Sequence, residues 1–344
     1  MIVDDSMVAR AVLSRIVESD DSFELAAVAG TAEDAIDALR IVSVDIVLLD
    51  LEMPGAGGLR MIPEILKAAD GARVMIVSSL ADEGKEQTIA ALALGATDAM
   101  PKPGTGRFNG RFAEVLLAKL KAIGFADEQA PLSEPIRLQG FGPLRAMPAD
   151  PIGLLAIGSS TGGIHAIASL FKALPPRLGV PILVTQHLPS PFMSVFARQL
   201  GIAARREALV GEDGMKLAAD RIIVAPGDAH LTIEPDGRGH AVRLVRERSP
   251  SGCLPSVDPM FASAGTEFGA SAVGVILTGM GRDGVQGAGR LVACGGSVLA
   301  QDEASCAVWG MPRAVIEAGL ACAVMPPDKI ARRIASRSGE LPCK

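Results

Sequence analysis

At 344 residues, 49% of them hydrophobic, the chain is longer than one ordinary domain and apolar enough to build two cores. Its apolar runs fall short of a membrane span and no charged-then-apolar leader opens it, which argues against membrane insertion and points to a cytoplasmic protein. The formal charge of −6 is unevenly spread: residues 1–122 hold 12 basic and 19 acidic side chains (net −7) and the remainder is net +1, so neither half offers the basic surface of a nucleic-acid binder.

Residues 1–122 alternate strand and helix patterns. Met1–Val3 is a short apolar strand running into Asp4-Asp5, and Val8–Val17 has helical spacing. Asp45–Asp50 is a buried strand ending in an acid. Val74–Val77 is another, followed by Ser78-Ser79. Ala96–Met100 precedes Pro101-Lys102-Pro103, and a helical pattern over Phe112–Ile123 closes the series. This alternation predicts a parallel sheet with helices on both faces. Over residues 123–150 the periodicity fails and Pro131, Pro135, Pro143 and Pro148 punctuate the chain, the mark of a linker. Residues 151–344 form a second α/β pattern. Strands are predicted at Leu154–Ile157, Ile182–Thr185, Arg221–Ala225 and Val273–Leu277, and helices at Ile164–Ala173 and Phe192–Gly201. Leu231–Ile233 and Ala241–Val245, turning at Asp236–Gly239, read as a β-hairpin. The five cysteines are dispersed with no CxxC spacing and read as reduced thiols rather than a zinc site.

In parallel α/β sheets, sites form at the C-terminal strand ends. In the first domain four such ends carry Asp4-Asp5, Asp50, Ser78 and Lys102. One such Asp would read as a helix cap. Clustered carboxylates repel one another without a cation, and oxygen donors of this kind suit Mg²⁺. A lysine and a hydroxyl beside them would neutralise and hydrogen-bond a phosphoryl group, so the chemistry implied is phosphoryl transfer to a carboxylate. IVDDS, LLDLEMP, VSSL and MPKP resemble the response-regulator receiver domain, a (βα)5 flavodoxin-like fold. The resemblance implies Asp50 as phosphoacceptor, Asp4 and Asp5 holding Mg²⁺ with Asp50 and the main chain of Glu52, and Ser78 and Lys102 as the phospho-switch. It also implies two departures. A first strand opening at Met1 is shorter than usual, which would weaken the sheet edge behind Asp4 and Asp5. GAGGL (55–59) stands where the family usually has an Asp-Gly pair, giving a looser loop without loss of a catalytic group.

The second domain opens with GSSTGG (158–163) after an apolar strand, and Gly158-x-Ser160-x-Gly162 matches the G-x-S-x-G pattern of nucleophile elbows. Such a turn could equally cradle a phosphate, but the Walker lysine is missing. A serine nucleophile needs a base. Of four histidines, His165 falls on the following helix and points away, His230 opens a strand, and His240 sits in the hairpin and should be exposed. His187 comes directly after the strand Ile182–Thr185 and shares the sheet edge with Ser160. The orienting acid is Asp283 in LTGMGRDG, with Asp258 (placed nearer to substrate shaping) and Asp302 as competitors. The order Ser160, His187, Asp283 differs from that of α/β-hydrolases, so geometry must define the triad. Main-chain N–H groups of His187 and Met280 are the candidate oxyanion donors.

IGSSTGG, TQHLP, LPSVDPMF, LTGMGRDG and AVWGMPRAV resemble the catalytic domain of the chemotaxis protein-glutamate methylesterase family, CheB, and with the receiver and linker the resemblance spans nearly the whole chain. It implies a doubly wound, mainly parallel α/β catalytic domain with a β-hairpin. By the same resemblance Ser160, His187 and Asp283 match the triad, with Thr161 supporting it and no cofactor for the ester chemistry. Ser159 stands where alanine is common and is the spectator of the serine pair. Arg282 stands where asparagine is common and adds a cation beside Asp283. The implied activity is hydrolysis of glutamate methyl esters and deamidation of glutamines on methyl-accepting chemotaxis receptors. The receiver is expected to occlude the active site until a CheA-type histidine kinase phosphorylates Asp50. The rivals are a response regulator whose output is binding, which the near-neutral α/β second half disfavours, a family member acting on another protein ester or amide, and an inactive esterase domain.

Overall fold

A computed structural model describes residues 1–54, 57–78, 81–102, 110–125, 144–148 and 150–337. The chain folds as two compact units, residues 1–132 and 133–344. In the first, β1 (Ile2–Val3), β2 (Val28–Ala29), β3 (Ile46–Leu49), β4 (Arg73–Ser78) and β5 (Asp98–Pro101) form a parallel sheet in the order β2-β1-β3-β4-β5. The helices are α1 (Met7–Glu18), α2 (Ala32–Leu39), α3 (Gly58–Ala68), α4 (Asp82–Leu94) and α5 (Gly110–Gly124). Leu13 and Val17 of α1 and Leu116 and Leu120 of α5 pack with Ile2, Leu48, Met75 and Val77 on one face of the sheet. The intervening residues Val47, Leu49, Val74 and Ile76 are also buried, as the two-residue alternation of a sheet covered on both faces requires.

The expected weakness behind Asp4 and Asp5 is not found. Short β1 is an interior strand, paired through Ile2 and Val3 with β2 on one side and β3 on the other. Asp4 N–H donates to Ala29 O (3.2 Å) and Asp50 N–H to Val3 O (2.8 Å), so both acids are anchored by the ladder itself. Of the GAGGL loop, residues 55 and 56 lie outside the described residues. Gly58 starts α3, and a side chain there would strike the Asp50 main chain.

Among the described residues of the second unit, seven parallel strands run in the order β14-β13-β12-β6-β7-β9-β8. They are β6 (Leu154–Ser159), β7 (Ile182–Gln186), β8 (Ala208–Val210), β9 (Ile222–Val224), β12 (Ala272–Ile276), β13 (Ser297–Gln301) and β14 (Ala321–Met325). Every residue of β6, β7, β9, β12 and β13 is buried, and all of these but β13, which opens on Ser297 and ends on Gln301, read in the sequence as apolar runs. The helices are α6 (Gly163–Ala173), α7 (Ser190–Ala204), α8 (Val257–Phe268), α9 (Val285–Ala293), α10 (Met311–Glu317) and α11 (Pro327–Ala335). The hairpin forms as a separate antiparallel pair, β10 (His230–Asp236) and β11 (Gly239–Val245), turning at Gly237-Arg238. Its Leu231 and Val242 share a core with Met260 and Phe261 of α8. The chain leaves β6 toward β7 on one side and returns through β12 on the other. The strand order therefore reverses at β6, and the crevice this opens lies at the C-terminal ends of β6, β7 and β12.

Most of the predicted linker (residues 126–143 and 149) lies outside the described residues; Arg145 N–H bonds to Ala321 O of β14 (3.0 Å). No helix among the described residues is long and apolar enough to cross a membrane.

Candidate active site and phosphoacceptor site

Ser159, the last residue of β6, is fully buried and its hydroxyl donates to Gln186 Oε1 (2.6 Å). Gln186 Nε2 in turn donates to Ser160 O (2.8 Å), and Ser160 N–H bonds to Thr278 O just past β12 (3.0 Å). Ser160 is thus pinned by its main chain between two strand ends. Its hydroxyl is partly exposed and makes no hydrogen bond among the described residues. The turn is not the strained elbow that the G-x-S-x-G pattern suggests. Its left-handed residue is Gly162 (φ 75°), and the described non-glycine residues with positive φ are Asp70, Arg205 and Asp220. The glycine at 279 has a different reason: a Cβ there would lie 2.7 Å from Ser160 Cβ.

His187 lies just past β7, and its Nε2 is 2.8 Å from Asp283 Oδ2. Asp283, in the loop between β12 and α9, is 1% exposed. Its Oδ1 accepts from Ser256 Oγ (2.6 Å) and its Oδ2 from Val257 N–H (2.7 Å). Ser256 and Val257 are the N-cap and first residue of α8, so the carboxylate sits at the positive end of a helix. Burial alone would raise the Asp283 pKa. The bonds from His187, Ser256 and Val257 outweigh it and hold the acid well below the usual carboxylate range. An ionised carboxylate only accepts, so Nε2 carries the His187 proton and Nδ1 is left as the basic nitrogen.

The other predicted residues divide. The His187 N–H is not available as an oxyanion donor: it is spent on Ser159 O (3.1 Å), because the β6–β7 ladder runs one residue past the last strand pair. Met280 N–H makes no hydrogen bond among the described residues, and its side chain is exposed at the crevice rim. His165 is exposed on α6, as expected. His240 is not exposed as expected: it packs on Phe268 with ring centroids 4.5 Å apart and lies 3.4 Å from Glu267. His230 is buried; it accepts from Ser256 N–H at Nδ1 (2.9 Å) and faces Glu247 O through Nε2 (2.7 Å), a neutral ring that props the residue holding Asp283. Asp258 lies beneath the site rather than on a substrate-shaping surface. Its Oδ1 accepts Gly287 N–H (2.7 Å), and burial together with neighbouring Asp283 pushes its pKa up to about 6. Asp302 is taken up locally, its carboxylate accepting from Ser305 Oγ. Arg282 is largely exposed and reaches Glu317 (3.8 Å), so its charge stands at the rim. Sequence reasoning missed Ser256 and Gln186. The serine ahead of Val257-Asp258 was legible as a helix N-cap, but not its contact with Asp283.

In the first unit the four strand ends converge. Lys102 Nζ lies 2.7 Å from Asp50 Oδ2 and 2.8 Å from Asp4 Oδ2. Glu52 N–H donates to Asp50 Oδ1 (3.2 Å). Burial raises the Asp50 pKa, Lys102 pulls it back, and Asp4 adds to the rise. Burial disfavours the Lys102 charge, but its bonds to Asp4 and Asp50 more than offset this and raise its pKa. Oxygens of Asp4, Asp5 and Asp50 lie within 4.8 Å of one another, a hard all-oxygen set that fits Mg²⁺. Ser78 Oγ is buried without a hydrogen-bond partner among the described residues, a hydroxyl left free to bond an added group.

An acidic strand-end cluster on a 2-1-3-4-5 parallel sheet, joined to an α/β unit with a serine, histidine and aspartate at its switch point, defines a response regulator with a hydrolase-like output. Comparison with known proteins agrees: residues 1–107 match the response regulator receiver domain and residues 155–334 the CheB methylesterase domain. The chain is 38% identical to the protein-glutamate methylesterase/protein-glutamine glutaminase 2 of Caulobacter vibrioides, covering 98% of both chains. It is 35% identical to protein 1 of that description from Paramagnetospirillum magneticum, over 96% of this chain and 93% of that one. The crystal structure of the Thermotoga maritima CheB methylesterase catalytic domain superposes with a TM-score of 0.52 at 34% identity, covering 54% of this chain and 98% of that one. The chain belongs to the CheB methylesterase family, with an N-terminal receiver domain.

Proposed function

We propose that this protein is a cytoplasmic, phosphorylation-regulated serine hydrolase that demethylates glutamate methyl esters and deamidates glutamines on methyl-accepting chemotaxis receptors. The observation that carries the reading is the buried Asp283 held against His187 just past β7, with the one serine of GSSTGG whose hydroxyl is uncommitted just past the adjacent β6. His187 Nδ1 takes the Ser160 proton as Oγ attacks the ester carbonyl. Asp283 fixes the tautomer and stabilises the imidazolium. The Met280 N–H is the available donor to the oxyanion, worth about 3 kcal/mol. His187 then returns the proton to the leaving methanol, or to ammonia from a glutamine, and water repeats the cycle on the acyl-serine. No cofactor enters this chemistry.

In the receiver, Asp4, Asp5, Asp50 and the main chain of Glu52 would hold Mg²⁺, which when bound offsets the negative charge of carboxylates and phosphoryl oxygens. Asp50 is the acceptor for a phosphoryl group from a CheA-type histidine kinase. Lys102 pairs with the phosphoryl oxygens, and the unused Ser78 hydroxyl donates to one of them. Phosphorylation raises hydrolase activity. The test is methanol release from methylated receptor membranes with and without a small phosphodonor. Release that the donor stimulates is expected; no release would assign the site to another acyl substrate, and equal rates would remove the regulation.

A further inference from the structure

Cys253 has no part in the ester chemistry, yet its thiol sits at the active site. It lies in the stretch leading to α8, half-buried and unoxidised, with its N–H facing Ser251 Oγ (3.4 Å) and its carbonyl accepting from Ser249 Oγ (2.9 Å). The thiol sulfur, a ring nitrogen of His187 and a carboxylate oxygen of Asp283 all lie within 4.8 Å of one another. The edges of a tetrahedral site with Zn–N of about 2.0 Å and Zn–S of about 2.3 Å are roughly 3.3–3.6 Å, so side-chain movements on the order of 1 Å close the set. A nitrogen, a sulfur and an oxygen suit a borderline-soft cation, whereas the receiver's Asp4, Asp5 and Asp50 offer hard oxygens only. Ser256, bonded to Asp283 Oδ1, would hold that ligand in place from outside.

We infer that the hydrolase site binds a thiophilic divalent cation of the Zn²⁺ type through His187, Cys253 and Asp283, and that the bound cation switches hydrolysis off. Cys253 releases its proton to solvent and ligates as thiolate. His187 ligates through Nε2, the nitrogen that faces Asp283, its ring proton moving to Nδ1, and the fourth position is left to water. A metal-bound His187 no longer answers to Asp283 as the orienting acid of a base, so Ser160 loses its proton acceptor. The inhibitory half of this inference rests on the reading of His187 as that base; the binding half does not.

The experiment uses the full chain in millimolar Mg²⁺, which occupies the all-oxygen site. Zn²⁺ is titrated against a chromogenic chelator for wild type, Cys253→Ser and Cys253→Ala, with hydrolysis followed in parallel and Trp309 fluorescence as the check of fold. Wild type should hold one equivalent of Zn²⁺ at least tenfold more tightly than either variant. Its hydrolysis should fall as the site fills and return on adding excess chelator. The variants should match wild type without Zn²⁺ and need at least tenfold more of it for half-inhibition. Equal Zn²⁺ affinity in all three proteins would overturn the site. Cys253-dependent binding that leaves hydrolysis untouched would overturn the inhibition. If wild type hydrolyses nothing even without Zn²⁺, the functional reading fails, and the chelator competition still decides the site.

Discussion

The two units each bury an aspartate at a strand end, and they solve its charge in opposite ways. Asp283 is surrounded by donors: Ser256 Oγ, Val257 N–H at a helix start and His187, which together hold its pKa low despite burial. Asp50 has Lys102, shared with Asp4, and a main-chain N–H, and its pKa is raised. The first arrangement is complete without any added group, as the proposed role of orienting a base in every turnover requires. The second is left short of positive charge, with an unused hydroxyl at Ser78, and so favours whatever brings a cation and a phosphoryl group.

The largest effect should come from breaking the complete site. Asp283→Ala removes both the acceptor that fixes the His187 tautomer and the charge that stabilises its imidazolium, and should lower kcat about 10³–10⁴-fold. Steady-state hydrolysis beside a Trp309 unfolding curve checks this, and a loss under tenfold would contradict it. In the incomplete site, Asp50→Asn should leave basal hydrolysis near wild type and abolish stimulation by a phosphodonor. Retained stimulation would move the phosphoacceptor elsewhere. Ser256→Ala removes one of Asp283's three partners. It should cost about tenfold in kcat, from a charge-assisted hydrogen bond worth about 1.5–3 kcal/mol only partly lost, with KM little changed. Its readout is the split between kcat and KM beside an unfolding curve; an unchanged kcat with only a lowered unfolding midpoint would make Ser256 a helix cap alone.

The smallest effect concerns Asp258, whose pKa rises from 3.8 to about 6 on folding. Between those values the folded chain holds a proton that the unfolded chain has released, so this group's contribution to stability is complete below pH 3.8 and is lost as pH rises to about 6. Asp258→Asn can keep the bond from Gly287 N–H and does not ionise. The stability of this variant relative to wild type should therefore climb between about pH 4 and 6 and then level off. Urea midpoints read by Trp309, the only tryptophan and a residue of the second unit, give the answer, and a flat difference would contradict it.

Much of the fold and site is legible in sequence because parallel strands buried on both faces are unbroken apolar runs, and because the residues just beyond their C-terminal ends must lie at one sheet edge. Asp4, Asp50, Ser78, Lys102, Ser160, His187 and Asp283 are all recognisable that way. β2, β8 and β14 are edge strands, only partly buried, and β13 is bounded by Ser297 and Gln301, so none offers the unbroken apolar run that marks β6 or β12. The commitment of the His187 N–H to Ser159 O arises from ladder register, and the Ser256–Asp283 contact from the approach of segments 27 residues apart, neither of which periodicity encodes. The backbone at Ser160 departs from the motif for a related reason. G-x-S-x-G fixes residue types, but the left-handed conformation falls on Gly162.

The most direct test of the account sets the two adjacent serines against each other. Methanol release from methylated receptor membranes should fall at least about 10³-fold in Ser160→Ala, the loss expected of a nucleophile. It should persist within about tenfold in Ser159→Ala, which loses a buried hydrogen bond to Gln186 and no reacting group. Release by Ser160→Ala at the wild-type rate, or loss confined to Ser159→Ala, would contradict the assignment of the nucleophile and the mechanism built on it.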